Sequence, residues 1–274
     1  MANLDWNKTK TIFIIVFSIL NVFLYTLYVN RYNEAQNVEP LGEASIEERL
    51  HADNIRYDRL SKSSVQESYV TGNVRKYSLE DLKPRENQTY EIINETQLVA
   101  TFTEPVLLQN VNDPLSLEDF TLKNIENGSS YELWEIDEEE RKAVLFQTTK
   151  KRFIYNNSNA MLVIYWNEDN KILKYEQTEF QELEEFGEES VNLLPEEEVV
   201  RTLYARNLLN PNSTITDITL GYSTLVHFTD TQVFAPTWRV RVKLIDGSIE
   251  DYFVNAVEGK IIEFEKETEE IEQQ

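Results

Sequence analysis

The sequence predicts an α+β fold in which one N-terminal transmembrane helix is followed by an extracellular body of two helix-plus-antiparallel-sheet units. Three observations lead to this prediction. An uncharged run of twenty residues, 11–30, lies close to the N-terminus. Beyond it, segments with a helical apolar period precede segments in which apolar and polar residues alternate. This order occurs twice, at 116–177 and at 195–265, as expected when a helix covers each sheet.

The run 11–30 has the length of a membrane span, because twenty helical residues rise by about 30 Å, the thickness of the hydrocarbon core. It ends at Tyr28-Val29-Asn30-Arg31 without the small residues of a signal-peptidase site, so we expect it to be retained. Lys8 and Lys10 precede the run and Arg31 alone flanks its other end. This asymmetry places residues 1–10 in the cytoplasm and the body outside the cell membrane.

Composition excludes several classes of function. The net charge is −23, and nearly all of it lies beyond the apolar run, so we expect no binding to nucleic acid. The chain has no Cys, which fits an exported bacterial domain better than a disulfide-stabilised eukaryotic one. A hydrophobic content of 41 % and an aromatic content of 11 % indicate packed cores.

Changes in composition along the chain predict the domain boundaries. We expect a cytoplasmic tail at 1–10, the transmembrane helix at 11–30, a juxtamembrane stalk at 31–45, a first α+β domain at 46–178, an acidic linker at 179–194, a second α+β domain at 195–265 and an acidic tail at 266–274.

Three helix starts are predicted in the body. Ser45 and Glu48 have the spacing of a capping box. Ser116 starts a second helix, which Asn127-Gly128 ends. Pro195 suits the first position of a third helix, whose buried stripe comprises Val199, Val200, Leu203, Tyr204 and Leu208.

One strand shows a regular alternation of side chains. Trp238, Val240, Val242 and Leu244 alternate with Arg239, Arg241 and Lys243. Successive side chains of a strand point to opposite faces, so we expect the first set to be buried and the second to be in water.

The sequence contains no recognisable catalytic or metal-binding motif. It lacks the Gly-x-Ser-x-Gly elbow, a phosphate-binding glycine loop and His-Glu-x-x-His. Its two histidines, His51 and His227, are expected to be ordinary surface or half-buried residues. Acidic residues on strands, such as Glu135, Asp137 and Glu176, are expected by chance among 49 carboxylates. We therefore predict no catalytic, metal or cofactor site.

The C-terminal region resembles a known module. A helix after Pro195, Gly221-Tyr222 in a strand, Pro236-x-Trp238-Arg239-Val240 and Tyr252-Phe253-Val254-Asn255-Ala256-x-x-Gly259 are similar to the PepSY-type module of secreted bacterial regulatory proteins, which has a PepSY/cystatin-like fold. Together with the N-terminal residues 5–14, these motifs make the whole chain resemble the YycI (WalI) family of low-GC Gram-positive bacteria. The resemblance implies one transmembrane helix, an extracellular body and no catalytic residues. It also implies regulation of a WalK-type sensor histidine kinase together with a YycH-like protein.

The predicted transmembrane helix has one face that differs from the rest. The residues of this face, which we name the seam, follow each other at alternating spacings of three and four: Thr11, Ile14, Ser18, Asn21, Tyr25 and Tyr28. Lipid does not favour an amide near the middle of a span, whereas a neighbouring helix can hydrogen-bond to Asn21. We predict that the seam binds a partner helix, although Tyr25 and Tyr28 also fit membrane-interface aromatics.

Two other functions stay open at this point. One is an extracellular ligand sensor, with Trp134 or Trp166 lining a groove for a saccharide or peptide. The other is a protease-inhibitor-like or chaperone module, which the PepSY resemblance permits. A pocket with convergent polar groups would favour a ligand sensor, and a broad apolar surface would favour an interaction protein.

Overall fold

The computed structural model of the protein describes residues 6–36, 45–108, 110–227 and 230–264. The chain divides into two units, Met1–Arg49 and Leu50–Gln274. Most of the predicted stalk 31–45 and all of the predicted tail 266–274 lie outside the described residues. The described α-helices are α1 (Trp6–Gln36), α2 (Ile46–Ala52), α3 (Pro114–Asn124) and α4 (Glu196–Ala205).

α1 is a continuous helix of 31 residues that contains the uncharged run 11–30. Within the run, the side chains of residues 13–27 are described, and the large apolar ones among them are 46 % to 69 % exposed. Among the described residues, no helix has the length and apolarity needed to cross a membrane. The side chains of residues 11, 12 and 28–30, which complete the predicted span, lie outside the described residues.

α2 begins at the predicted capping box. The Glu48 backbone N–H donates to Ser45 Oγ at 3.2 Å, and the Ser45 N–H donates to Glu48 Oε2 at 3.1 Å. These reciprocal bonds satisfy two N–H groups that the start of a helix leaves without intrahelical partners. The prediction of this helix start is confirmed.

The described strands lie in the second unit, where they form two sheets. Their bounds are β1 (Gln66–Val74), β2 (Gln88–Ile93), β3 (Gln97–Leu107), β4 (Tyr131–Asp137), β5 (Lys142–Thr149), β6 (Arg152–Phe153), β7 (Met161–Trp166), β8 (Lys171–Gln177), β9 (Phe180–Asn192), β10 (Thr214–His227), β11 (Thr231–Lys243), β12 (Ile249–Asn255) and β13 (Ile261–Ile262). Neighbouring strands are antiparallel, which confirms the α+β class with antiparallel sheets.

The strands form a seven-strand sheet and a six-strand sheet. The seven-strand sheet has the order β2-β3-β8-β7-β5-β4, with β6 paired to β5. The six-strand sheet has the order β13-β12-β11-β1-β9, with β10 paired to β11. β1 pairs with both β9 and β11, so it lies between strands that are far from it in sequence.

α3 closes the core of the seven-strand sheet. Leu117 and Phe120 are buried in one cluster with side chains from β3, β5, β7 and β8. The ring of Phe120 lies 5.8 Å from that of Phe102, centroid to centroid. The opposite face of the helix is in solvent, where Leu122 is 52 % exposed.

The start of α3 differs from the prediction. The N-cap is Asp113 and not Ser116, because Pro114 occupies the first turn and the Asp113 carboxylate accepts a hydrogen bond from the Ser116 N–H at 3.1 Å. The helix ends at Asn124, before the predicted Asn127-Gly128, where a short 3-10 helix begins.

α4 presents the predicted stripe in part. Val199, Val200 and Leu203 are fully buried, whereas Tyr204 is half-buried and Leu208 lies beyond the end of the helix at Ala205. Pro195 is the N-cap, one position before the predicted one. The indole of Trp238 on β11 donates to the Leu194 carbonyl at 2.9 Å, which ties the strand to the chain just before α4.

The glutamate-rich stretch 179–194, predicted to be a linker, contains strand β9. Its charges are compatible with a strand because β9 is the last described strand of the six-strand sheet, and edge strands commonly carry charged side chains. Phe180 is buried and Leu183 packs against the same cluster. The predicted first domain, 46–178, also contains strands of both sheets. β1 belongs to the six-strand sheet, whereas β2 to β8 belong to the seven-strand sheet.

Candidate interaction surfaces

The structure places the predicted seam on α1. Ile14, Ser18, Asn21 and Tyr25 are exposed, and their spacing puts them along one side of the helix. Thr11 and Tyr28 continue the same side of the helical backbone, but their side chains lie outside the described residues. The seam as a partner-binding site therefore stays a prediction.

The residues considered for catalysis are not brought together. Glu135 on β4 and Glu176 on β8 lie at the same level of the seven-strand sheet. The residues between them are Val144 on β5 and Val163 on β7. Three strand spacings separate the two glutamates, or about 14 Å, whereas paired glycosidase carboxylates lie about 5–9.5 Å apart. Glu176 also holds Lys174 Nζ at 2.6 Å and Gln97 Nε2 at 3.2 Å.

His51, His227 and Asp137 are the remaining titratable candidates. His51 is exposed on α2, and the side chain of His227, at the end of β10, lies outside the described residues. Asp137 accepts from the Glu140 N–H at 2.9 Å and so serves the turn after β4. In the part of the chain that the structure describes, no cluster of acidic or histidine side chains could hold a metal ion.

The two tryptophans considered for a ligand groove have different surroundings. Trp166 is buried in the core of the seven-strand sheet, so it cannot line a groove. Trp134 is half-buried in an aromatic group with Phe146, Phe153, Tyr155 and Phe253. Trp134 thus contributes to packing. Its neighbours Phe146 and Phe253 also line a cleft that is described below.

The face of β11 that was predicted to be in water is only partly so. Arg239 is 8 % exposed, and its guanidinium lies 5.0 Å from the centroid of the Trp134 ring. One of its nitrogens also donates to Asp217 at 2.8 Å. The prediction was wrong for Arg239, because Trp134 on β4 of the other sheet lies over it, and an arginine can be buried when it stacks on an aromatic ring and pairs with a carboxylate. Arg241 is half-buried, and Lys243 is exposed as predicted.

The two sheets meet again at a polar junction that the sequence did not indicate. Arg75 follows β1 and Glu179 precedes β9, and their side chains pair at 2.6 Å with little exposure to solvent. Asn127 donates to the other Glu179 oxygen at 2.8 Å. The Arg75 guanidinium also lies 4.7 Å from the centre of the Tyr77 ring. Burial, with Glu179 nearby, raises the pKa of Tyr77 well above its ordinary value, so this phenol stays neutral.

A further contact between the sheets involves Gly221, in the Gly-Tyr motif of β10. The Tyr155 N–H donates to the Tyr222 carbonyl at 2.8 Å. A Cβ atom at Gly221 would lie 2.3 Å from the Tyr155 ring, so only glycine allows this approach. The motif therefore has a packing role.

An open cleft of ≈ 1170 Å³ lies between the two sheets. One wall comes from the seven-strand sheet, with Glu135 and Phe146, and the other from β12, β13 and the residues after them. No sequence pattern indicated this cleft, because its lining comes from residues 135–161 and 208–264, which only the tertiary fold brings together.

These features define an α+β protein with two antiparallel sheets and an N-terminal helix whose described apolar side chains are exposed. The YycI family model, described as YycI protein, matches residues 33–257. This is most of the chain, and the chain belongs to the YycI family, as the sequence resemblance predicted. The family is a regulatory one, associated with two-component systems, and is not a known enzyme family.

Comparison with solved structures gives two distant similarities. An uncharacterized protein from Eubacterium rectale is 10 % identical, with 78 % of this chain and 92 % of that one covered at a TM-score of 0.45. The C-terminal domain of Bacillus megaterium YpeB is 12 % identical, with 72 % and 90 % covered at a TM-score of 0.40. At these TM-scores neither similarity carries an argument, and the PepSY-like character of the C-terminal region stays a prediction. No curated protein matches the sequence.

Proposed function

We propose that the chain is a single-pass membrane regulator of a WalK-type sensor histidine kinase, acting together with a YycH-like protein. The observation that carries this proposal is membership of the YycI family over residues 33–257. The proposed role is non-enzymatic, since a regulator of this kind changes the conformational equilibrium of a kinase by binding one of its states more tightly.

The proposed route to the kinase runs through α1. Its described apolar side chains are exposed, and the uncharged run 11–30 has the length of a membrane span. With Lys8 and Lys10 on the N-terminal side, residues 1–10 lie in the cytoplasm and the body lies outside the cell membrane. In this arrangement the polar seam around Asn21 faces another helix, because lipid offers an amide no hydrogen-bond partner.

Replacing the seam amide tests the proposal. Asn21→Leu keeps an apolar span, but it removes an interhelical hydrogen bond worth about 0.6–2 kcal/mol. This corresponds to roughly a three- to thirty-fold weaker association with the partner helices. The measurement is co-purification of the kinase and the YycH-like protein from membranes, together with a reporter of kinase output. Because the chain has no Cys, Asn21→Cys also gives a single crosslinking site on the seam.

The matched control is Leu20→Val, one position away and outside the seam. It should leave both co-purification and kinase output unchanged. If Asn21→Leu behaves like this control, α1 is only an anchor. Regulation would then have to pass through the body of the protein.

A further inference from the structure

The cleft between the sheets has an apolar part, its base, which lies beside the polar residues Asn156, Asn157 and Ser158. Phe146 and Phe253 are buried there, and Phe264 packs edge-on against Phe253 with ring centroids 4.8 Å apart. Partly exposed apolar side chains complete the base: Met161, Leu208, Ile261 and Ile262. Such a concave apolar surface, with aromatic residues and methionine, has the composition of the buried centre of protein interfaces.

The mouth of the cleft is acidic. Glu135 and Glu263 line it and are exposed, and neither makes a close ion pair with a described residue, although the Arg241 guanidinium also attracts Glu135. Asp251 also lines the cleft, but Arg241 neutralises it through bonds of 2.9 Å and 2.8 Å. The carboxylates that could bind a cationic ligand are therefore Glu135 on β4 and Glu263 after β13, on opposite walls.

The size of the cleft favours a polypeptide over a small molecule. Its ≈ 1170 Å³ exceeds the volume of about 300–1,000 Å³ that is usual for small-molecule sites. It is open along its length, and β13 at its wall has no described strand on its outer side. An extended segment could lie in such a cleft with alternate side chains pointing to the base and to the mouth.

We propose that the cleft binds an extended segment of a partner protein in which lysine or arginine alternates with apolar residues. The apolar side chains contact Phe146, Phe253 and Phe264, and the cationic ones reach Glu135 and Glu263. The chain's own residues 265–274 are poor candidates for this place, because five of these ten residues are Glu and one is Lys. The proposal goes beyond the proposed function, since it requires neither α1 nor the kinase.

A binding assay on the full-length chain in neutral detergent tests this proposal. The probe is a fluorescein-labelled heptapeptide of lysine alternating with valine and phenylalanine, followed by fluorescence anisotropy. Glu135→Lys combined with Glu263→Lys should weaken binding about tenfold, because each change replaces an attraction by a repulsion. Phe264→Ser should weaken it about fivefold through loss of apolar contact.

Matched controls separate the cleft from the general acidity of the chain. Glu138→Lys combined with Glu139→Lys makes the same change in charge on the exposed turn after β4, and it should weaken binding about twofold at most in moderate salt. Phe186→Ser alters an exposed phenylalanine on β9 and should have no effect. The same peptide with glutamate in place of lysine should not bind.

Three results would overturn the proposal. One is that the unmodified chain fails to bind the lysine peptide. Another is that the double variant of Glu138 and Glu139 weakens binding as much as the double variant of Glu135 and Glu263. This would mean that only net charge attracts the peptide. The third is binding that occurs only after residues 265–274 are removed, which would mean that the cleft belongs to the chain's own tail.

Discussion

The two sheets of the second unit are assembled from very different parts of the chain. The seven-strand sheet uses one continuous stretch from β2 to β8, whereas the six-strand sheet pairs β1, at residues 66–74, with β11, at residues 231–243. Hairpin pairings within a continuous stretch close short loops, while the pairing of β1 with β11 must bring distant segments together.

The difference shows that the seven-strand sheet is an insertion into the six-strand one. β1 and β9 are antiparallel neighbours, and the end of β1 lies beside the start of β9. The chain between them, which contains the seven-strand sheet, therefore begins and ends at the same point of the six-strand sheet. Arg75 and Glu179 stand at the two ends of this insertion, where the Arg75 N–H also donates to the Glu179 carbonyl at 2.8 Å. The inserted sheet is thus held by its own apolar core and tied at its base by a buried ion pair.

The largest expected effect follows from removing a side chain in the inserted core. Phe120→Ala leaves a cavity between α3 and the seven-strand sheet and should lower the free energy of unfolding by about 3–5 kcal/mol. Hydrogen exchange should quicken first in the seven-strand sheet, because sub-global opening follows the weakened unit. Equal loss of protection in both sheets would show that the insertion does not behave as a separate unit. Leu122→Ala, on the exposed face of the same helix, should cost about 1 kcal/mol or less.

A smaller effect is expected at the base of the insertion. Arg75→Met leaves the carboxylate of Glu179 buried without its cation, which should cost about 3 kcal/mol, at the low end for buried pairs because the arginine is 16 % exposed. Adding Glu179→Gln should restore part of the loss, since the buried carboxylate then carries no charge, and Glu126, which also pairs with Arg75 at 3.6 Å, is more exposed. Urea unfolding of the single and double variants measures this coupling.

The control for the Arg75 variant is a substitution of the next residue, Lys76. Lys76→Met removes an exposed pair with Asp230 and should leave stability nearly unchanged. If the single Arg75 variant is no less stable than this control, the base of the insertion is not held by the ion pair.

The smallest expected effect concerns the start of α3 and depends on pH. Hydrogen bonds from the Ser116 hydroxyl and N–H hold the pKa of Asp113 below its ordinary value. The ionised cap therefore adds stability above the unfolded-state pKa, and this stability is lost as pH falls through the folded-state pKa. Asp113→Ala should lower Tm at neutral pH, with a difference that shrinks towards about pH 3. Asp119→Ala, on the same helix and paired with exposed Lys123, should show a smaller difference. A difference for Asp113→Ala that is constant with pH would mean that its charge does not hold the helix start.

Local patterns in the sequence were enough to predict much of the fold. The Ser45–Glu48 box and the stripe of Val199, Val200 and Leu203 were readable because capping and helical periodicity depend on residues close in sequence. The membership of the YycI family was also readable from the motifs. Strand β9 was missed because its glutamates are typical of a linker, and a strand at the edge of a sheet can carry them.

The sequence by itself determined the α+β class and the family, since each depends on residue types at fixed short spacings, and the seam stays a prediction from such a spacing. Only the tertiary structure decided the burial of Arg239 under Trp134, the pairing of Arg75 with Glu179 and the cleft between the sheets. These features join segments that are distant in the chain. An arginine or glutamate has the same appearance in a sequence whether it lies in water or against a partner, and burial is a property of what the fold places over it.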